Sequence, residues 1–300
     1  MKEYDKYLKL LKEKYPTKQS VYRELINLNA IMNLPKGTEH FMSDLHGEYD
    51  AFYHIINNCS GVIKEKVAML YGDELTVFEQ QELCTLIYYP REKLSKLMDE
   101  NKVSDEWYRN VLNQLIQIAK LLSSKYTRSK VRKAMPVDFA YIIDELIHAQ
   151  KDEDDNRSVY HRQIMETILS LHNGDEFLVA LTDLIKRLAV DHLHILGDIY
   201  DRGPHADKIL DLLMEHHSVD IQWGNHDILW MGAFCGNPVC MALVVRNNIK
   251  YKTMSILENG YGISLRFLLQ FAVNTYSDKN VDDAVYKACL LYTSDAADEA

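Results

Sequence analysis

At 300 residues, 47% of them hydrophobic, the chain can bury a sizeable core and has room for one large or two ordinary domains. Its formal charge of -10 works against general affinity for nucleic acid or an anionic membrane surface, so an anionic substrate would need a local source of positive charge. No apolar run approaches the length of a membrane span and the charged start, Met1 to Lys6, carries no apolar leader; five cysteines without CxxC spacing read as reduced thiols, which together predict a cytoplasmic protein.

Residues 2–34 place Tyr7, Leu8, Leu11, Val21, Leu25, Leu28 and Met32 at helical spacing with Pro16 as a break, which predicts two helices. The turn Pro35-Lys36-Gly37 then leads into a short strand, His40-Phe41-Met42, that delivers Asp44 and His46 at its C-terminal end. From Tyr49 to near Val190 the sequence is helix-like and charged-amphipathic, with turns at Tyr89-Pro90, Pro136, Lys151 to Asn156 and Asn173-Gly174. That stretch far exceeds the roughly 30 residues of a compact βαβ unit. Leu193, Ile195 and Leu196 read as a buried strand, Ala206 to His217 as a crossover helix, and Val219, Ile221 and Trp223 as the next strand. A helix from near Asp227 and another across Ile263 to Val273 follow. The expected organisation is α/β: N-terminal helices and a first strand in 1–59, a mostly helical insertion in 60–190, the rest of the core in 191–290, and in 291–300 a small, acidic tail of foreign composition.

Chemistry concentrates where the predicted strands end, the usual place for a site in an open α/β sheet. On an extended segment Asp44 and His46 would point to one side and hold one cation, and an oxygen-plus-imidazole pair without thiolate favours Mn, Fe or Zn. Gly197 permits close backbone approach beside Asp198, whose carboxylate could bridge two ions and so let a shared water become a hydroxide nucleophile. In Asp201-Arg202-Gly203 the guanidinium of Arg202 suits a phosphate clamp, the alternative being a surface Asp-Arg ion pair. Asn225 can offer its carbonyl oxygen to a second ion; His226 beside it can protonate a leaving alkoxide, with Asp201 the best carboxylate to orient it. Asp227 reads as a helix N-cap.

Other features read as structural. Lys125, Arg128, Lys130, Arg132 and Lys133 suit a solvated helix face. His192 and His194 share one strand face and read as buried or supporting residues rather than ligands, while His216 and His217 end a helix where cations suit the dipole. Cys235 and Cys240 match no zinc spacing.

Asp44-x-His46, then Gly197-Asp198-x-x-Asp201-Arg202-Gly203, then Gly224-Asn225-His226-Asp227 is the pattern of the calcineurin-like metallophosphoesterases, which this chain resembles. The run Phe41 to Phe52, the stretch Leu25 to Ile31, the long helical insertion and Gln222 to Ala233 resemble more narrowly the class 3 (Firmicutes-type) fructose-1,6-bisphosphatases, over about residues 1–290. The resemblance implies a calcineurin-like half-core with a large, mostly helical insertion, acting on the 1-phosphate of a small sugar bisphosphate, fructose 1,6-bisphosphate, in gluconeogenesis with two Mn2+ ions; other divalent transition metals remain open. It further implies Asp44 and His46 at the first ion, Asp198 as the bridge, Asn225 at the second ion, His226 as acid oriented by Asp201, and Arg202 on phosphate. No nucleic acid or membrane partner is expected, and a homo-oligomer is left open. The family pattern continues with a later histidine and a Gly-His-x-His segment, whereas no histidine follows His226 here, so the chain is expected to be an N-terminal fragment short of ligands for both ions. The rival readings are a protein phosphatase, a dinucleoside polyphosphate hydrolase, and a catalytically incompetent metal-binding fragment.

Overall fold

A computed structural model describes residues 2–149 and 155–276. Lys151 to Asp154 of the expected turn, Cys289 and the atypical tail 291–300 lie outside the described residues. The chain divides into two compact units, one formed by Thr38–Glu100 with the segment from Ala189 onward, the other by the residues up to Gly37 with Asn101–Leu188.

The first unit is built on three parallel strands in the order β1-β2-β3: β1 (Glu39–Met42), β2 (His192–Ile195) and β3 (Val219–Ile221). Parallel neighbours cannot be joined by a hairpin, so each connection crosses a face of the sheet. Between β2 and β3 that crossover is the helix Ala206–Glu215, whose Ala206, Ile209 and Leu213 form a buried stripe. Leu193 and Ile195 of β2 are wholly buried and meet this stripe in one apolar cluster with Leu45, Phe52 and Ile199. Leu196, expected in the strand, lies just beyond it and is 45% exposed, because consecutive side chains alternate faces and Ile195 takes the inward one. Trp223 lies beyond β3, which ends at Ile221, and is likewise half exposed.

Helices follow each strand. Tyr49–Asn58 follows β1, and Val62–Tyr71, Val77–Tyr88 and Pro90–Asp99 succeed it. Thr76 opens the third of these with a capping box, its hydroxyl taking the Glu79 N–H while Glu79 accepts from the Thr76 N–H. After β3 come Asn225–Phe234, Pro238–Tyr251 and Arg266–Tyr276, the last starting three residues later than the periodicity predicts. His216 stands just past the crossover helix as its C-cap; burial, with His217 alongside, pulls its pKa down to about 4, so it is a neutral ring and not the dipole-compensating cation expected.

The second unit is helical. Its centre is Asp105–Ser123, which buries Leu112, Leu115, Ile118, Ala119 and Leu122 at helical spacing, and Gly174–Ala189, which buries Leu178, Leu181, Leu184, Ile185 and Leu188. Arg109 grips Glu166 of Asp155–Ser170 through two parallel bonds of 2.8 and 2.9 Å. Lys2–Lys14 and Lys18–Met32 flank Pro16 as the spacing predicts, the latter capped by Thr17; Leu10, Leu25 and Ile26 on them are exposed. Arg128 and Arg132 of the basic run are exposed and reach Asp144 at 3.5 and 3.8 Å.

Candidate active site

The loop leaving β1 uses backbone conformations that L-residues rarely adopt. Asp44 has φ 55° and His46 φ 45°, followed by Gly47 at 70°. The extended Asp-x-His geometry expected from the sequence is therefore corrected: the strand has already ended at Met42, and left-handed turns, not strand alternation, bring the two side chains together. His46 Nε2 stands 3.6 Å from Asp44 Oδ1, while His46 Nδ1 lies 3.2 Å from the Tyr200 carbonyl oxygen. A proton on Nδ1 would be donated to that carbonyl, which leaves the Nε2 lone pair for a cation.

The loop after β2 has the same character, with Gly197 at φ 97°, Asp198 at 55°, Asp201 at 65° and Arg202 at 73°. The residues other than glycine cost about 1–2 kcal/mol each and persist only where the surroundings over-determine them. Here the two loops are stitched by main-chain bonds: the His46 N–H donates to the Asp198 carbonyl at 2.8 Å, the Gly47 N–H to Ile199 at 2.8 Å, and the Gly203 N–H back to His46 at 2.7 Å.

Glycines set how closely the loops approach. A Cβ on Gly47 would sit 2.4 Å from the Gly203 carbonyl oxygen, and one on Gly224 would sit 2.1 Å from Asp198 Oδ1. Gly224→Ala is expected to push the Asp198 carboxylate aside and weaken cation binding at Asp44, His46 and Asp198 by at least about tenfold, roughly 1.4 kcal/mol. Titration with Mn2+ followed by electron paramagnetic resonance checks this, and an unchanged affinity would remove Gly224 from the account.

Asp227 is wholly buried. Its Oδ1 accepts the N–H groups of Ile199 (2.9 Å) and Tyr200 (3.1 Å), and its Oδ2 those of Asp198 (2.8 Å) and Gly224 (2.8 Å). The N-cap reading is corrected accordingly: Gly224 holds the cap position, the helix begins at Asn225, and Asp227 in its first turn clamps the loop that carries Asp198.

Asp201 and His226 meet, with Asp201 Oδ2 2.7 Å from His226 Nδ1. The same oxygen accepts from Asn247 Nδ2 at 2.8 Å, and Oδ1 accepts from Trp230 Nε1 at 3.2 Å. The His226 ring stands edge-on to His46 with centroids 5.7 Å apart. Tyr200 stacks on Trp230 and hydrogen-bonds Tyr261; burial drives its phenol pKa upward and keeps it neutral. Asp201 is buried and Arg202 exposed, and among the described residues the two form no ion pair. Asn225 is exposed at the first position of its helix, next to Gly224. No motif marks the roles of Asn247, Trp230 or Tyr261; only the folded chain brings them to Asp201 and to Tyr200 beside it.

The donor set fits a divalent metal. One atom each of Asp44, His46 and Asp198 lies within 4.8 Å of the others. Asp198 Oδ1 is buried without a hydrogen-bond partner, which a cation would satisfy. Carboxylate oxygen and imidazole nitrogen, without sulfur, suit first-row divalent ions.

The sequence profile of the family described as Firmicute fructose-1,6-bisphosphatase matches residues 6–295. A curated class 3 fructose-1,6-bisphosphatase from Clostridium beijerinckii is 53% identical over 288 residues, covering 93% of this chain and 43% of the relative. One from Listeria monocytogenes serotype 4b is 55% identical over 273 residues (91% and 42%), and one from Bacteroides fragilis 52% identical over 273 residues (91% and 41%). This chain thus spans about two-fifths of the length of the curated relatives it matches. No solved structure matches the chain. Among the described residues no helix is long and apolar enough to cross a membrane.

Proposed function

This chain belongs to the Firmicute fructose-1,6-bisphosphatase family, and we propose that its site serves the removal of the 1-phosphate from fructose 1,6-bisphosphate, in the cytoplasm, within a calcineurin-like metallophosphoesterase core into which residues 60–190 are inserted. The observation that carries the reading is the convergence of Asp44, His46 and Asp198 beside the Asp201–His226 pair, in a chain matched to this family almost end to end. Two Mn2+ ions, when bound, would supply positive charge for the phosphoryl oxygens and lower the pKa of a water toward neutrality.

The roles of the chain's own groups follow from their chemistry. Asp44 and His46 would hold one ion, Asp198 would lie between the two, and Asn225 would offer its amide oxygen to the second. Asp201, held by three donors, fixes the His226 ring through Nδ1 and so reserves Nε2 to hold the proton given to the departing sugar oxygen. Arg202, exposed at the loop tip, suits two parallel hydrogen bonds to phosphate. An anionic protein would otherwise repel such a substrate, which makes Arg202 and the ions its local attraction.

The test uses a protein of the relatives' length in which residues 6–295 of this chain replace the matching stretch of the Listeria relative. Mn2+-dependent phosphate release from fructose 1,6-bisphosphate is expected, with Asp198→Ala lowering kcat by at least about a thousandfold, the scale of a lost electrostatic stabiliser. Turnover of nucleotide or phosphoprotein substrates but not of the sugar bisphosphate would overturn the substrate while leaving the metal chemistry in place.

A further inference from the structure

The sheet has a second chemically loaded surface, opposite the apolar cluster and unused by the reaction proposed above. His192 and His194 share one face of β2 by strand alternation. In register, Asp220 of β3 stands opposite His194, and Glu39 of β1 stands opposite His192. His192 Nε2 lies 3.2 Å from Asp220 Oδ2 and His194 Nδ1 lies 2.7 Å from Asp220 Oδ1. One donor atom from each of the three falls within 4.8 Å of the others, and the two imidazole centroids are 4.4 Å apart.

We propose that His192, His194 and Asp220 bind one divalent transition-metal ion of the zinc or cobalt type, with Glu39 orienting His194. Two imidazoles and a carboxylate are ordinary ligands for such ions, and donors held tetrahedrally at about 2.1 Å stand about 3.4 Å apart, close to the His192–Asp220 separation. The surrounding contacts are those that ligating histidines use. His192 Nδ1 is engaged by Ser218 Oγ at 2.6 Å, which leaves Nε2 toward Asp220. Phe41 stacks on His194 with centroids 4.4 Å apart and planes 13° from parallel, so the ring plane is fixed.

An ion pair alone leaves one feature without an account. His194 Nε2 is buried with no hydrogen-bond partner, and Glu39 Oε2 is 3.9 Å away, beyond bonding distance. A cation taken at Nδ1 displaces the proton shared there with Asp220 and fixes the remaining ring proton on Nε2, where Glu39 can close to accept it. All four residues sit on strands, which holds the donors more precisely than loops would.

Cobalt(II) titration separates this site from the first. With Asp44→Ala and Asp198→Ala both present, about one equivalent of Co2+ is still expected to bind, giving visible d–d absorption and a one-to-one ratio by elemental analysis. His192→Ala is expected to abolish the band, Asp220→Asn, which keeps the side-chain shape, to weaken binding at least tenfold, and Glu39→Gln to weaken it by about 10- to 100-fold. The same titration on the unsubstituted chain, where no alanine can have disturbed the fold, is expected to show two classes of site of which Asp220→Asn removes one. Undiminished binding in both His192→Ala and Asp220→Asn, or no class of site in the unsubstituted chain that Asp220→Asn removes, would overturn the proposal. The readout is binding, so it stands or fails apart from the assignment of fructose 1,6-bisphosphate as substrate.

Discussion

Asp227→Ala is expected to destabilise the sheet unit by about 4 kcal/mol or more, since each buried donor left without its acceptor costs about 1–3 kcal/mol. Four backbone N–H groups converge on this one carboxylate, three of them in succession from Asp198, Ile199 and Tyr200. Those three belong to the loop whose left-handed residues are costly, and they have no strand ladder to fall back on because β2 ended at Ile195. Asp227→Asn should be less damaging but still severe: whichever way the amide is turned, its NH2 faces two N–H donors in place of an acceptor. Metal affinity should fall with stability, because the clamped segment begins at Asp198 itself. Urea denaturation with Mn2+ titration of the same samples reads both effects; a loss under about 1 kcal/mol for Asp227→Ala would mean that water or another group replaces the carboxylate.

The same residue shows where the sequence stopped being readable. As a letter, Asp227 follows Gly-Asn-His at the start of a helix, and a helix cap is the reading local chemistry favours. Of its four partners only Gly224, three positions upstream, is local; the other three are 27 to 29 positions upstream, and no local rule contains them. Asn247 and Trp230 are invisible for the same reason, since their bonds to Asp201 exist only once two helices have packed beside the loop. The strands were legible because Leu193 and Ile195 alternate with polar residues, the pattern of a strand with one buried face. The proximity of Asp44 to His46, and of Asp201 to His226, was legible from residue chemistry, which demands a partner for each. The backbone that achieves it was not: nothing in Ser43-Asp44-Leu45-His46 encodes two left-handed residues, which stand where Gly47 and Gly203 pack backbone to backbone and main-chain bonds join the two loops. The histidines of β2 were placed on one face correctly, yet their pairing with Asp220 needed the strand register, which alternation alone leaves undetermined.

Asp201→Asn, made in the chimaera with the Listeria relative, is expected to lower kcat by about 10²- to 10⁴-fold, the range for a lost acid-base contribution. The size follows from the donor count. Asp201 Oδ2 faces both His226 and Asn247, and Oδ1 faces Trp230, so all three contacts use it as an acceptor. An amide has one accepting end only: turned toward His226 and Asn247 it sets its NH2 against the Trp230 N–H, and turned the other way it sets the NH2 against Asn247 while reversing the bond at His226 Nδ1. Either arrangement removes the negative charge that would favour a proton-bearing His226. Because Asp201 touches neither ion nor substrate in this reading, Mn2+ affinity and KM should stay within about twofold, and Trp230→Phe, which strands only Oδ1, should cost kcat far less than Asp201→Asn. That split is the discriminating result. If kcat and Mn2+ affinity fall while KM rises, Asp201 supports the fold of the loop; if kcat alone falls, it positions the His226 proton.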